Sequence, residues 1–218
     1  SRGTQWRIHY SLDLLSLQCD WFQLTDQHGA ELLERTPMRK GDVILGDRNY
    51  LRPVGVRAVV DAEAHALLRL RWTHSTMHDA QGKPFGALAH ARTLRVGQVG
   101  AWPVRLPVPE RDPVAGRVIT TKLPAPLAAK AERRVAHAAN KKSRRPDPRS
   151  LEAARFVMLF TTLPTSLLCD ADVLELYRCR WQIELAFKRL KQLLKLGQLP
   201  HKDPAAARGW IHAKMVIA

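Results

Sequence analysis

The sequence is short of acidic residues, poor in cysteine and without any long apolar run. It has 20 Asp and Glu against 35 Lys and Arg among 218 residues, which gives a formal net charge of +15. Such an excess favours a polyanionic partner, with nucleic acid first and an anionic membrane surface second. The absence of an apolar run of about 18 residues excludes a membrane span, and we expect no signal peptide.

The three cysteines, Cys19, Cys169 and Cys179, are unclustered and lack the spacing of a zinc site. They are typical of reduced thiols in a cytosolic protein. The length and the 45% hydrophobic content allow one medium domain with an adequate core. Because the chain starts at Ser1 and stops at Ala218 inside an apolar helical pattern, we expect it to be a fragment.

The segment 174–196 has neither Pro nor Gly and is rich in Leu, Glu, Lys, Arg and Gln. This composition predicts one long helix. At roughly 100° per residue, Tyr177, Arg180, Glu184 and Lys191 fall within an arc of about 60°, and Lys188 and Lys195 extend it. A carboxylate among cations can ligate a metal ion while its neighbours hold phosphate oxygens; the alternative is a solvated face of Glu–Lys pairs.

Upstream, alternating apolar and polar residues predict strands at 5–15 and 18–25, able to pair as a hairpin, and a short helix at 30–35. The apolar run 42–45 predicts a buried central strand that ends at Asp47. An Asp just past the carboxyl end of such a strand is well placed for chemistry in α/β folds. The alternative is an Asx turn that caps the next segment.

These two regions share a resemblance. The spacing Tyr177-x2-Arg180-x3-Glu184-x6-Lys191 resembles the Y-R-E-K signature of DDE transposases of the insertion-sequence-four family. The run at 46–50, GDRNY, is similar to the D-R-G-Y around the second catalytic Asp of that family, with Asn49 in place of the Gly. Because Asn tolerates positive φ, we expect it to meet the same backbone requirement.

The resemblance implies that Asp47 and Glu184 are catalytic metal ligands for Mg²⁺, with Mn²⁺ as a substitute. It implies that Tyr177, Arg180 and Lys191 bind DNA at the transposon end. Lys188, which extends the same helix face, is predicted to bind DNA as well. The resemblance further implies cleavage and transfer of DNA strands at transposon ends, a homodimer in a synaptic complex with target DNA, and a bacterial cytoplasmic, nucleoid-associated location with no membrane. The two carboxylates are expected within roughly 5–8 Å of each other.

The implied fold is α/β, a ribonuclease-H-like mixed sheet flanked by helices. Residues 1–58 would form a partial core without its first strand, and 151–218 the remainder with the catalytic-Glu helix. Short predicted strands at 94–108 and 117–123 suggest a β-rich insertion at 59–125 between the two acids. Residues 126–150 would be a basic linker or loop. For Trp72 and Trp102 in the insertion, core packing is favoured over base stacking.

The basic segment is the most basic stretch of the sequence, and its cations include Lys130, Arg133, Arg134, Lys141, Lys142, Arg144 and Arg145. The last four are predicted to contact DNA phosphates, and the alternative is a solvated loop.

Two-metal phosphoryl transfer needs three acids, and two are identified. The first acid is expected on a strand upstream of Ser1, with Asp13 as the alternative, so the chain is not expected to cut DNA by itself. A rival function from another class is a basic, non-catalytic nucleic-acid-binding protein in which Glu184 merely pairs with Lys188.

Overall fold

A computed structural model describes residues 6–26, 28–73, 76–193 and 203–217. The chain divides into two compact units. Residues 1–37 and 178–218 form what we call the hairpin unit, and residues 38–177 form the sheet unit. No helix in the described ranges is long and apolar enough to cross a membrane.

The hairpin unit begins with strands β1 (Trp6–Leu12) and β2 (Cys19–Asp26), which pair antiparallel as predicted. The predicted helix at 30–35 is reduced to a single 3₁₀ turn, Leu33–Arg35. The unit continues with helices α6 (Trp181–Leu193) and α7 (Pro204–Ile217). Ile211 and Met215 of α7 form its core, on which Phe187 of α6 and apolar side chains of the hairpin pack.

The sheet unit contains five strands in the order β3-β4-β7-β6-β5. Their bounds are β3 Val43–Gly46, β4 His65–Arg69, β5 Val99–Val108, β6 Arg111–Lys122 and β7 Phe156–Thr161. β3 and β4 are parallel, joined by helix α1 (Pro53–Asp61), and the other pairs are antiparallel. The sheet is therefore mixed, as predicted. The expectation of a buried central strand at 42–45 was wrong, because β3 lies at the edge of this sheet and is mostly half-buried.

Four further helices complete this unit: α2 Ala87–Arg92, α3 Ala125–Asn140, α4 Pro148–Ala153 and α5 Asp170–Arg178. Its core on one face of the sheet consists of Leu67, Ile119 and Leu159, covered by Val173 and Tyr177 of α5. Spaced by four residues, these two α5 side chains lie on the same side of the helix, which fixes the face that meets the sheet.

Two further predictions need correction, and a third is not confirmed. The predicted helix 174–196 is two helices, α5 and α6, separated by a turn at Cys179–Arg180, and 194–196 lie outside the described residues. Segment 126–150, predicted as a linker or loop, is largely the helix α3, since its Ala-rich sequence favours a helix. Strands β4, β5 and β6 lie within 59–125 but belong to the same sheet as β3 and β7, so a separate insertion is not confirmed.

Candidate active site

Asp47 follows the last residue of β3 and is half-buried. Its Oδ1 accepts a hydrogen bond of 2.7 Å from the backbone N–H of Asn49, and its carbonyl accepts one of 3.2 Å from the N–H of Tyr50. The carboxylate thus forms the Asx turn that was the alternative to a catalytic role. The two are compatible, because a carboxylate has two oxygens and can accept several contacts.

Positive charge lies beside this carboxylate. Arg48 is exposed on the same loop, and Arg71, which follows the parallel strand β4, donates to the side-chain oxygen of Asn49 at 3.4 Å. The carboxyl ends of β3 and β4 lie at the same edge of the sheet, since the strands are parallel and Gly46 is in register with Leu68. The segments that follow these two strand ends therefore carry one acid, Asp47, and two cations, Arg48 and Arg71.

Asn49 does not have the backbone conformation predicted for it. The non-glycine residues with positive φ in the described chain are Leu17, Glu63, Glu110 and Ser143. The turn at Asp47 is closed by hydrogen bonds within the loop, so the expectation of a left-handed Asn49 was wrong.

Tyr177, predicted to bind DNA, is 8% exposed, and its ring lies in the core of the sheet unit. Its hydroxyl donates a hydrogen bond of 3.1 Å to the carbonyl oxygen of Gly46, the residue before Asp47. A contact between Tyr177 and phosphate stays a prediction. The structure links this side chain to the strand end that carries the candidate acid.

Glu184 lies in the first turn of α6 with a side chain that is 64% exposed. The guanidinium of Arg180, one helical turn earlier, donates to it at 2.7 Å. The alternative prediction paired Glu184 with Lys188, whereas the structure pairs Glu184 with Arg180. Lys188 and Lys191 are exposed on α6, at spacings of four and seven residues from Glu184, so the three share a helix face.

The helix break changes the arrangement predicted for these residues. Tyr177 ends the sheet unit, whereas Arg180, Glu184 and Lys191 belong to the hairpin unit. Tyr177 therefore does not share one continuous helix face with the others. Lys195 lies outside the described residues. The distance between the Asp47 and Glu184 carboxylates stays a prediction.

The basic segment is exposed. Lys130, Arg133 and Arg134 on α3, and all four predicted DNA contacts after it, are open to solvent: Lys141, Lys142, Arg144 and Arg145. Lys130, Arg134, His137 and Lys141 are spaced by four, three and four residues, which aligns them along one side of α3. The acid on this helix, Glu132, is engaged by the guanidinium of Arg155.

Asp13, the alternative first acid, follows β1 in the hairpin turn and is exposed. Its Oδ1 accepts hydrogen bonds from the N–H groups of Leu15 at 2.8 Å and Ser16 at 3.4 Å. These backbone donors hold the pKa of the Asp13 carboxyl below its usual value. The side chain closes the turn between β1 and β2, and a metal-binding role for it stays a prediction.

Both tryptophans are half-buried, so the core packing that was favoured for them is not confirmed. Trp72 is half-buried, and the Arg149 guanidinium lies 5.5 Å from its ring centroid. Trp102 is half-buried and lies against Phe85 and His90, with centroid distances of 6.2 and 5.2 Å.

A family model described as the transposase DDE domain matches residues 25–218, which include Asp47, Tyr177 and Glu184. The chain belongs to the DDE transposase family.

Relatives from Escherichia coli agree with this family. The chain is 34% identical over 221 residues to InsL of strain K12, named as a candidate transposase for insertion sequence element IS186A. It is equally similar to the transposase for insertion sequence element IS421. In both cases the match covers 99% of this chain and 60% of the relative, so the chain spans about 60% of their length.

DDE transposase domains use divalent metal ions. The carboxylates of Asp47 and Glu184 are oxygen donors of the kind that hard divalent ions prefer. Within the described ranges, however, no three His, Cys, Asp or Glu side chains gather into a metal cluster. The two carboxylates suit such an ion in donor type, and their role as its ligands stays a prediction.

Sequence reasoning missed the hydrogen bond from Tyr177 to Gly46. The signal that was available is the spacing of Val173 and Tyr177, which is that of two buried side chains on one helix face. It indicates burial but not the partner, because a carbonyl 131 residues away in sequence leaves no local pattern.

Proposed function

We propose that this DDE domain is part of the catalytic core of a bacterial enzyme that cuts and joins DNA strands at the ends of an insertion sequence. The observation that carries the proposal is Asp47, held in a turn at the end of β3 in a chain of the DDE family. Arg48 follows Asp47 on the same loop, and Arg71 contacts Asn49 of that loop. The names of the IS186A and IS421 relatives support insertion-sequence ends as the DNA substrate.

Asp47 and Glu184 are the proposed ligands of Mg²⁺, or of Mn²⁺ in its place. When bound, such an ion activates an attacking oxygen and stabilises the charge that develops on phosphate. Arg48 and Arg71 attract the phosphate to Asp47 by charge. Arg180 holds Glu184 at 2.7 Å and adds a cation beside this acid.

The proposed DNA contacts beyond these residues are cations on both units. Lys188 and Lys191 extend the exposed face of α6 that carries Glu184. Lys141, Lys142, Arg144 and Arg145 extend the basic side of α3 and suit the backbone of a duplex, because phosphate contacts by Lys and Arg need no particular base sequence.

We also propose the topology, the assembly and the location of the protein. They are a ribonuclease-H-like topology with an insertion at 59–125, a homodimeric synaptic complex that joins two transposon ends to target DNA, and a location at the nucleoid. The mixed sheet supports the ribonuclease-H-like topology, and the net charge of +15 supports DNA as the partner.

A calorimetric titration of residues 1–218 with Mn²⁺ and Mg²⁺ tests the proposal. We expect saturable binding that Asp47→Asn removes and Glu184→Gln weakens. Asp42→Asn is the matched control: Asp42 precedes the other end of β3 and accepts a hydrogen bond from the Arg39 N–H at 2.8 Å. Equal losses in Asp42→Asn and Asp47→Asn would contradict a specific role for Asp47.

The second candidate function is a basic nucleic-acid-binding protein without catalysis. It is favoured by the ion pair of Glu184 with Arg180 and by the use of Asp47 in an Asx turn, since both acids have structural partners. DNA binding by a chain that takes up neither Mn²⁺ nor Mg²⁺ would support this alternative.

A further inference from the structure

The inference concerns Tyr177, whose side chain reaches the end of β3 from α5. The Tyr177 hydroxyl donates a hydrogen bond of 3.1 Å to the Gly46 carbonyl, and the ring packs in the core of the sheet unit. Gly46 is itself buried and directly precedes Asp47. A hydrogen bond to the peptide unit that joins these two residues restrains the direction in which the Asp47 side chain leaves the strand.

The position of α5 is fixed from its other end. The Arg117 guanidinium on β6, 11% exposed, donates at 2.8 Å to Asp170, the first residue of α5. The same group donates to the carbonyls of Leu168, at 2.9 Å, and Leu163. These hydrogen bonds fix the start of α5 on the sheet, and Tyr177 lies two turns further along the same helix, where it contacts the end of β3.

Gly46 leaves little room for the strand end to move. A Cβ at this position would lie 2.7 Å from Leu68 Cδ2 and 3.2 Å from Tyr50 Cβ. Leu68 and Tyr50 thus close one side of the Gly46 backbone, and the Tyr177 hydroxyl holds its carbonyl. A buried carbonyl that loses its donor costs stability, so this arrangement favours one orientation of the peptide.

We propose that Tyr177 is a positioning residue, which orients the candidate metal ligand Asp47 through the Gly46 carbonyl instead of contacting DNA phosphate. Its importance for metal binding rests on the proposed function of Asp47. Its effect on the Asp47 turn does not, so the two can be tested separately.

Tyr177→Phe removes the hydroxyl and keeps the ring. Thr161→Val is the matched control, because the buried Thr161 hydroxyl likewise donates to a backbone carbonyl, that of Ala66 at 2.8 Å. In amide hydrogen exchange, we expect Tyr177→Phe to accelerate exchange about tenfold at Asn49 and Tyr50, whose N–H groups bond to Asp47. Thr161→Val should leave these two amides unchanged.

The same variants are titrated with Mn²⁺ and with DNA. Loss of a group that supports a metal ligand lowers metal affinity by about 10–100-fold, and we expect the lower end for Tyr177→Phe because it acts through the backbone. DNA affinity measured without a divalent ion should not change.

Several outcomes separate the two proposals. Unchanged exchange at Asn49 and Tyr50 in Tyr177→Phe overturns the positioning role. If the same variant also loses DNA affinity, the hydroxyl contacts a DNA phosphate instead. Faster exchange in a protein whose Mn²⁺ binding is absent or insensitive to Asp47→Asn keeps the positioning role and refutes the proposed function. If Tyr177→Phe fails to fold, Tyr177→Trp is measured against Thr161→Val in the same way.

Discussion

The exposed cations after α3 allow a quantitative prediction for DNA binding. Lys141, Lys142, Arg144 and Arg145 are all exposed, and no ion pair to them is found within the described ranges. They are therefore available to phosphates without first breaking an ion pair within the protein. Replacing all four by Ala removes this part of the basic surface while leaving α3 intact, because they follow its last residue, Asn140.

The magnitude follows from counterion release. Each phosphate contact contributes a slope of about −0.9 in log K against log salt, so four contacts contribute about −3.6. Between about 50 and 200 mM salt, that slope corresponds to a loss of about 150-fold in affinity. The quadruple variant should lack this portion of the salt dependence and bind a nonspecific duplex most weakly, relative to wild type, at low salt.

Fluorescence anisotropy with a labelled duplex, at a series of salt concentrations, measures the slope. The control removes the same charge from exposed cations elsewhere on the sheet unit: Arg39, Lys83, Arg95 and Arg105. If the slope is unchanged in the first variant, the segment is a solvated loop and the proposed contact is refuted. If both variants flatten the slope equally, net charge and not this surface is responsible.

Three other predictions follow from the sheet, the hairpin and the candidate acids. Gly46→Ala should lower the free energy of unfolding, measured in urea, by about 1–3 kcal/mol, because the added Cβ would lie 2.7 Å from Leu68 Cδ2. An unchanged free energy of unfolding would contradict the close packing at this position. Burial, aided by the charges of Arg35 and Arg7, lowers the pKa of His9, so the unfolded chain binds more protons than the folded chain once the pH falls below about 6.5. The free energy of unfolding should therefore decrease as the pH falls through this value, by at most about 1.4 kcal/mol per pH unit, and a slope that His9→Gln leaves intact would refute this. Residues 1–218 should not nick supercoiled DNA with Mg²⁺ or Mn²⁺, since the two proposed acids fall short of the three that the chemistry needs. Nicking that Asp13→Asn removes would contradict this and give Asp13 the role of the third acid.

Local patterns in the sequence were sufficient for the elements whose burial is one-sided. The alternation at 5–15 and 18–25 predicted the hairpin of β1 and β2, and the apolar run at 42–45 predicted β3 with Asp47 at its end. The turn at 79–82 is likewise closed locally, because the Asp79 side chain accepts hydrogen bonds from the N–H groups of Gln81 and Lys83. Such features depend on neighbours in sequence and therefore leave a readable pattern.

Tertiary contacts decided the features on which the candidate site depends. The segment 174–196 has no helix breaker, yet it divides at Cys179–Arg180, because α5 packs in the core of the sheet unit and α6 in that of the hairpin unit. Tyr177 was predicted to share one continuous helix face with Arg180 and Glu184, but its ring lies in the core of the sheet unit and its hydroxyl donates to the Gly46 carbonyl. The periodicity of apolar residues indicates that one face of a helix is buried, but it does not indicate what that face packs against. A Tyr side chain can pack in a core and make a polar contact as well. The sequence by itself therefore determined the family, the charge and the strand end at Asp47, whereas long-range packing alone determined where that helix breaks and what Tyr177 holds.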